Sequence, residues 1–194
     1  MERLARVTLA APADALHAVS AFYGSTLGLP EVTEGAFAAG PDVLAFRGSD
    51  GEPFYHFALL VGDLAAARGR LEGLVALLPW QGDVLVDFPA WDAHAIYFHD
   101  PVGNVVELIE HGPAGADAVL GISEIGVVAD DPQAAVAEWE ARGLPLWDGG
   151  IAADGTGLAF LGRKAHTLIV APTGRGWLPT GRPAEAHPVE VELA

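Results

Sequence analysis

The chain has 194 residues, of which 51% are hydrophobic, and its formal net charge is −16. This charge argues against nucleic acid as a partner, because nucleic-acid binding depends on cationic surfaces. The absence of cysteine excludes disulfides, thiolate metal sites and cysteine nucleophiles.

The sequence carries no signal for a membrane or for export. No run of about 18 apolar residues occurs, as a transmembrane helix would require. The start, residues 1–6, lacks the apolar core of a signal peptide. We therefore expect a cytoplasmic protein without a membrane partner. Its acidity favours a solvated, soluble surface, and attraction of a cationic ligand such as a basic glycopeptide antibiotic is the alternative.

The first part of the chain predicts a strand, a helix and two strands, at residues 6–9, 13–26, 31–38 and 43–47. Asp14 lies in the first turn of the helix, where a carboxylate suits the helix dipole. Gly28 lies just past its end, as a C-cap would.

The same order follows a second time. A strand at 56–61 precedes a helix at 63–74, for which Asp63 is the expected N-cap, and strands follow at 84–88, 95–99 and 104–110. The last two strands flank a tight turn, in which Pro101 presets φ and Gly103 accepts a positive φ. This pattern predicts a hairpin.

A third copy follows a linker of small residues. It has a strand at 123–128 and a helix that begins at Asp130-Asp131-Pro132, with a carboxylate cap and Pro just inside, and ends near 142–143. Strands follow at 144–147, 158–161, 167–171 and 189–193. The predicted domains are 1–111, a linker at 112–120, and 121–194.

Glu107 is a carboxylate on an otherwise apolar strand face. Because side chains alternate along a strand, it shares this face with Val105 and Ile109. A carboxylate is unfavourable to bury without a partner. Glu107 is therefore half-exposed, hydrogen-bonded or bound to a metal.

Three motifs in the expected order carry a resemblance to a known superfamily. They are the hairpin at 95–111, Ala21-Phe22-Tyr23 with Leu27-Gly28-Leu29-Pro30, and the strand at 54–63. Together they resemble the vicinal-oxygen-chelate superfamily, which includes glyoxalase I, bleomycin-resistance proteins, fosfomycin-resistance proteins and ring-cleaving dioxygenases. The late segment also resembles the tails of bacterial members with an extra C-terminal unit.

The resemblance implies an α+β fold of repeated βαβββ units that form a curved, open barrel around a pocket. Residues 4–111 would form one complete pair of units, with a third unit appended. The third unit could pack on the outside of the pair, fold back with the last strand, or pair with the third unit of another subunit. The last arrangement predicts a twofold homodimer.

The resemblance also implies positions for metal ligands. His56 matches the first-strand ligand of the second unit, and Glu107 matches its last-strand ligand. The first-strand position of the first unit falls at Arg6, and its last-strand position near 44–47 offers no ligand. His99 and His94 are candidate third ligands. Alternatively, Arg6 replaces the metal's charge and pairs with Glu107.

Two residues of the third unit complete the candidate set. Glu124 matches its first-strand ligand position, but 167–170 offers no ligand, and we expect Glu124 at the surface or at a sheet edge. Trp177 lies on a Gly/Pro-framed loop beside Arg163, Lys164, Arg175 and Arg182. It could cap a ligand pocket, or it could plug the open side of the third sheet.

Two functions follow from these residues. The first is a binding protein with a degenerate site that holds a small ligand without a tightly bound metal, its pocket lined by Arg6, His56, His99, Glu107 and Trp177. The alternative is a metal-dependent lyase or ring-cleaving dioxygenase, in which His56 and Glu107 bind Fe, Ni, Mn or Zn. The missing ligands favour the first function.

Overall fold

The structure is a computed structural model that describes residues 3–194. It consists of one five-stranded and one eight-stranded sheet, a two-stranded ribbon and short helices. The α+β fold class is therefore confirmed. Among the helices of this part of the chain, none is long and apolar enough to cross a membrane.

The first unit forms most of the five-stranded sheet. Its elements are β1 (Leu4–Pro12), α1 (Leu16–Ala21), β2 (Glu31–Thr33), β3 (Ala36–Ala39) and β4 (Asp42–Ser49). A 3₁₀ turn and a π-helical turn flank α1, so helical structure spans the predicted 13–26. Strand β4 lies parallel to β1 and antiparallel to β3.

The second unit contains β5 (His56–Val61), α2 (Leu64–Leu71), β6 (Val86–Phe88), β7 (Ala93–His99) and β8 (Val105–His111). Asp63 caps α2, because its side chain accepts a hydrogen bond from the Ala66 N–H at 2.8 Å. The turn between β7 and β8 is closed by Asp100, whose carboxylate accepts the N–H groups of Val102 and Asn104. Gly103 has a φ of 82°, as this turn requires.

The third unit contains β9 (Val119–Ala129), α3 (Pro132–Ala141), β10 (Leu146–Ile151), β11 (Gly157–Arg163), β12 (His166–Pro172), β13 (Gly176–Trp177), β14 (Arg182–Pro183) and β15 (Val189–Leu193). Asp131 caps α3 by accepting the Ala134 N–H at 3.0 Å, and Pro132 occupies the first helical position.

The eight-stranded sheet joins the second and third units. Its order is β10-β11-β12-β9-β5-β8-β7-β6, and antiparallel pairing of β5 with β9 connects the two halves. The sheet curls into an open half-barrel, which confirms the predicted curved barrel. The pairing expected from the sequence, of the first unit with the second, is wrong. The reason is that β9 is buried continuously from residue 121 to 126 and is central in the sheet.

The first unit takes its partner from the end of the chain instead. Strand β15 pairs antiparallel with β1, so the five-stranded sheet has the order β15-β1-β4-β3-β2. Both sheets therefore cross the predicted boundary at 112–120, and the domain limits remain a prediction. Since the third unit finds its partner within the chain, the argument for a dimer through that unit no longer applies.

The side chains form two apolar cores, one on each face of the eight-stranded sheet. The larger core combines this sheet with the helices and the five-stranded sheet, and it includes Phe57, Val106 and Leu108. The smaller core lies on the opposite face, which we call the concave face, and includes Val105, Ile109 and Trp177. Glu107 lies on the concave face, because it alternates with Val106 and Leu108.

Candidate metal centre

Three acidic or imidazole side chains meet on the concave face of three adjacent strands. His56 begins β5, while Glu107 and Glu124 lie within β8 and β9 on either side of it. Ala58 is the cross-strand partner of both Glu107 and Glu124. Since His56 lies two residues before Ala58, all three side chains point to the same face.

The register shows that these positions are related by the repeat. His56 pairs with Val105, and Glu107 lies two residues further along β8. In the third unit, Glu124 pairs with Thr167, and Ile169 lies two residues further along β12. Glu124 therefore corresponds to His56, and Ile169 corresponds to Glu107. Three of the four equivalent positions carry metal-binding groups, and the fourth carries an aliphatic side chain.

The three groups are close together and buried. One donor atom from each of His56, Glu107 and Glu124 lies within 4.8 Å of the others. The distance from His56 Nε2 to Glu107 Oε2 is 3.6 Å. The residues are 5%, 2% and 5% exposed, so water reaches none of them freely.

A backbone hydrogen bond fixes the tautomer of His56. Its Nδ1 donates to the Val105 carbonyl at 3.2 Å, which leaves the lone pair on Nε2 facing the carboxylates. The pKa of His56 is lowered to about 4, mainly by burial; the hydrogen bond to the Val105 carbonyl acts against this shift, and the positive charge of Arg175 adds to it. His56 is therefore neutral at pH 7.

The two carboxyl groups are pushed towards their protonated forms. Burial raises the pKa of Glu124 to about 7. Burial and the nearby charge of Glu124 raise the pKa of Glu107 well above its ordinary value, and a hydrogen bond from Tyr97 acts in the opposite direction. Without a cation, the pair retains a proton near neutral pH, because two close carboxylates repel each other.

The cluster opens into a small cavity of about 70 Å³. Its wall is largely aromatic and aliphatic, with Phe88, Trp91, Tyr97, Leu158, Phe160, Ile169, Trp177 and Leu178 around the cluster, together with Arg175. The rings of Trp177 and His56 lie 4.9 Å apart. Gly126 allows this approach, since a Cβ there would lie 2.8 Å from Trp177 Cη2.

No family model matches the sequence, and comparison with curated proteins finds no match either. Solved structures do match. A Bacillus subtilis protein provisionally named a dioxygenase aligns with 87% of this chain at a TM-score of 0.58 and 15% identity. Glyoxalase I from Zea mays aligns with 88% of it at a TM-score of 0.61 and 15% identity. The chain has the vicinal-oxygen-chelate fold.

The likeness extends over most of this chain but not over most of each neighbour. The chain spans 63% of the length of the Bacillus subtilis protein and 67% of the maize glyoxalase I. At 15% identity, the comparison establishes the vicinal-oxygen-chelate fold and not the reaction.

The five residues that the sequence predicted to line one ligand pocket do not all lie together in the structure. His56, Glu107 and Trp177 line one cavity. Arg6 does not, because β1 belongs to the five-stranded sheet, where Arg6 Nε lies 4.0 Å from Glu192 Oε1. The predicted pocket position of Arg6 and its pairing with Glu107 are therefore corrected.

Two further histidines also lie outside the cavity. His99 is exposed at the end of β7, and its Nδ1 lies 3.3 Å from the Asn104 carbonyl. His94 is exposed and its Nδ1 lies 3.2 Å from Asp87 Oδ1. Neither is the third member of the cluster. A ligand-binding role for His56, Glu107 and Trp177 remains a prediction.

The expectation that Glu124 lies at the surface or at a sheet edge is wrong. Strand β9 is flanked by β5 and β12, so the side chain of Glu124 is buried beside His56 and Glu107. The signal was present in the sequence, because Glu124, like Glu107, interrupts an apolar strand.

A larger groove of about 600 Å³ lies on the other face of the same sheet, beside α2. Leu64, Leu71, Leu77 and Glu110 contribute to its wall. Glu110 accepts the Leu64 N–H at 2.8 Å and so is already satisfied. The three side chains that converge, His56, Glu107 and Glu124, line the smaller cavity and not this groove.

Proposed function

We propose that this chain is a metal-dependent enzyme that acts on a small molecule, with His56, Glu107 and Glu124 as the metal ligands. The observation that carries the proposal is the convergence of these three buried donors on the concave face, within 4.8 Å of one another. Such a group is unfavourable in an apolar interior unless a cation or protons compensate its charge.

The chemistry of the donor set fits a divalent cation. His56 presents the lone pair of Nε2, and its Nδ1–H donates to a backbone carbonyl, as metal-binding histidines usually do. Ligand atoms about 2.1 Å from an ion lie at most about 4.2 Å apart. The 3.6 Å distance from His56 Nε2 to Glu107 Oε2 meets this limit, and one donor atom from each of the three residues lies within 4.8 Å of the others.

The balance of ligands favours one reaction class. One histidine and two carboxylates differ from the 2-His-1-carboxylate set typical of Fe(II) oxygenases, and they suit Mn, Ni or Zn. A bound ion of this kind supplies Lewis-acid stabilisation of an enolate. We therefore favour a lyase or isomerase, the class to which the glyoxalase I name points, over a dioxygenase.

The protein's own residues would orient the substrate and exclude water. Phe88, Trp91 and Phe160 form an apolar wall, so polar interactions inside it are stronger than in water. Tyr97 pairs across the strands with Glu107 and holds that carboxylate in place.

A second function is supported by Ile169. Because Ile169 occupies the fourth ligand position, a cation would have only three protein ligands, and the raised pKa values allow the carboxyl pair to keep a proton instead. The site would then be a degenerate, metal-free pocket that binds a small ligand through protonated and ionised carboxyl groups.

We also propose that the protein is cytoplasmic and forms a homodimer. The absence of cysteine supports the location, since cytoplasmic proteins make little use of disulfides. A homodimer would have to form through a surface other than the β5–β9 junction, which lies within one chain.

The first experiment is elemental mass spectrometry of protein purified without a chelating column or EDTA. We expect close to one equivalent of Mn, Ni, Zn or Fe, or uptake of one equivalent when these ions are added. His56→Ala should abolish this uptake, while His94→Ala, which removes an exposed imidazole, should not. If the wild-type protein binds none of the four ions when they are added, the proposal of a metal-dependent enzyme is refuted and the metal-free ligand pocket is supported.

A further inference from the structure

Arg175 is a cation of the cavity that the proposed metal site does not use. It follows β12, is half-buried, and is the only Arg or Lys that lines the cavity within residues 3–194. Its Nη1 donates to the Gly176 carbonyl at 2.8 Å. Across the same residues, no carboxylate lies within 4.0 Å of its guanidinium.

The formal charges of the site leave Arg175 without compensation once a metal is bound. Two ionised carboxylates and a divalent cation sum to zero, and His56 is neutral. Arg175 then adds one positive charge to a cavity with apolar walls. A cavity with one uncompensated positive charge suits a ligand that carries a single negative charge.

We propose that the substrate is a small organic monoanion whose carboxylate is held by Arg175 while an adjacent oxygen reaches the metal. This inference rests on the proposed metal-dependent function. A guanidinium matches a carboxylate with two parallel hydrogen bonds, and such charge-assisted pairs are among the strongest in proteins. Arg175 would thus determine specificity and position the substrate.

The dimensions of the cavity limit the size of this anion. At about 10–15 Å³ of cavity volume per water molecule, a cavity of about 70 Å³ holds about five to seven waters, which is close to the number of non-hydrogen atoms in a short organic acid. Trp177 and Ile169 form part of the cavity wall. Short 2-hydroxy or 2-oxo acids combine this size with a carboxylate and a neighbouring oxygen, and they form the substrate class that we infer.

The test uses lactate as the probe and 1,2-propanediol as its uncharged counterpart with the same carbon skeleton. Calorimetry first measures Mn²⁺ binding to wild type, Arg175→Gln, Arg175→Lys and Arg163→Gln. Arg163 is exposed on β11 and outside the cavity, so its substitution is the matched control for loss of one charge. Lactate and the diol are then titrated into each Mn²⁺-loaded protein.

We expect Arg175→Gln to weaken lactate binding by about 10- to 100-fold, the range for loss of a charge-assisted hydrogen bond. Arg175→Lys should weaken it less, because the charge remains, and Arg163→Gln should not change it. Mn²⁺ affinity should not fall in Arg175→Gln, since a nearby positive charge is removed. The diol should bind weakly and equally to all four proteins.

The possible failures can be told apart. If Mn²⁺ binds but lactate binds wild type and Arg175→Gln equally, or the diol binds as tightly as lactate, the inference about Arg175 is overturned and the metal site stands. The same holds if Mn²⁺-loaded wild type binds no lactate. If Mn²⁺ does not bind wild type at all, the metal-dependent function fails, and the inference fails with it.

Discussion

Replacing Glu124 by glutamine removes one of the two buried carboxyl groups and keeps the shape of the side chain. In the metal-free protein, burial raises the pKa of Glu124 from 4.5 to about 7. A carboxyl group whose pKa is raised on folding contributes stability that is complete below pH 4.5 and is lost as the pH rises through 7. Glutamine stays neutral, so the variant does not suffer this loss.

The magnitude follows from the size of this pKa change. A difference of one in pKa corresponds to about 1.36 kcal/mol, so a rise from 4.5 to about 7 weakens the folded state by about 3 kcal/mol once Glu124 is ionised. Glu124 is 5% exposed, so solvent screening reduces this figure little. In EDTA, Glu124→Gln should be more stable than wild type by about 3 kcal/mol at pH 8 and by less than about 0.5 kcal/mol at pH 4.5.

Urea denaturation at the two pH values, followed by tryptophan fluorescence, measures this difference. Glu138→Gln is the control, because Glu138 is exposed on α3 and should show no such dependence on pH. Saturating Mn²⁺ should reverse the order at pH 8, since a ligand that binds the folded state stabilises it and the variant lacks one donor. A Glu124→Gln protein that is less stable than wild type by the same amount at both pH values would refute the reasoning.

Two further substitutions test the surroundings of the site, and a third tests the turn at Asp100. Ile169→Glu places a carboxylate at the position equivalent to Glu107, so Mn²⁺ affinity measured by calorimetry should rise at least about tenfold. Unchanged affinity would contradict the equivalence. Trp177→Ala should destabilise the protein by about 3–5 kcal/mol in thermal or urea denaturation, and added indole should restore part of the loss. Tyr23→Phe removes the hydroxyl that donates to Asp100 at 2.8 Å, so urea denaturation should show a loss of about 1–3 kcal/mol, whereas no loss would mean that water replaces the hydroxyl.

The features that sequence predicts well are local ones. The strand at 56–61, the caps at Asp63 and Asp131 and the turn at Asp100 each depend on residues a few positions apart. Their physical causes, side-chain alternation, satisfaction of the first N–H groups of a helix and positive φ at glycine, all act within a few residues. These features therefore hold in the structure with shifts of only a few residues.

The sequence does not determine which of the three units pair with each other. Strand pairing joins residues far apart in sequence, such as Ala58 with Glu124, and three similar units offer more than one pairing. The sequence order favoured the first two units, whereas the structure pairs the second with the third. The misplacement of Glu124 follows from this error, because whether a carboxylate on β9 is exposed or buried depends on which strands flank it.

Because the second and third units pair, Ile169 occupies the position equivalent to Glu107. A metal site that only stabilises a fold is usually closed by four protein ligands, whereas sites that act on a substrate keep a position open. Here the repeat supplies four equivalent positions, and the one that lacks a ligand lies in the cavity wall with Arg175 and Trp177. The open position, the guanidinium of Arg175, which has no carboxylate partner within residues 3–194, and the aromatic wall therefore lie around the same small volume. This arrangement is the one that the proposed binding of a small anion at a metal requires.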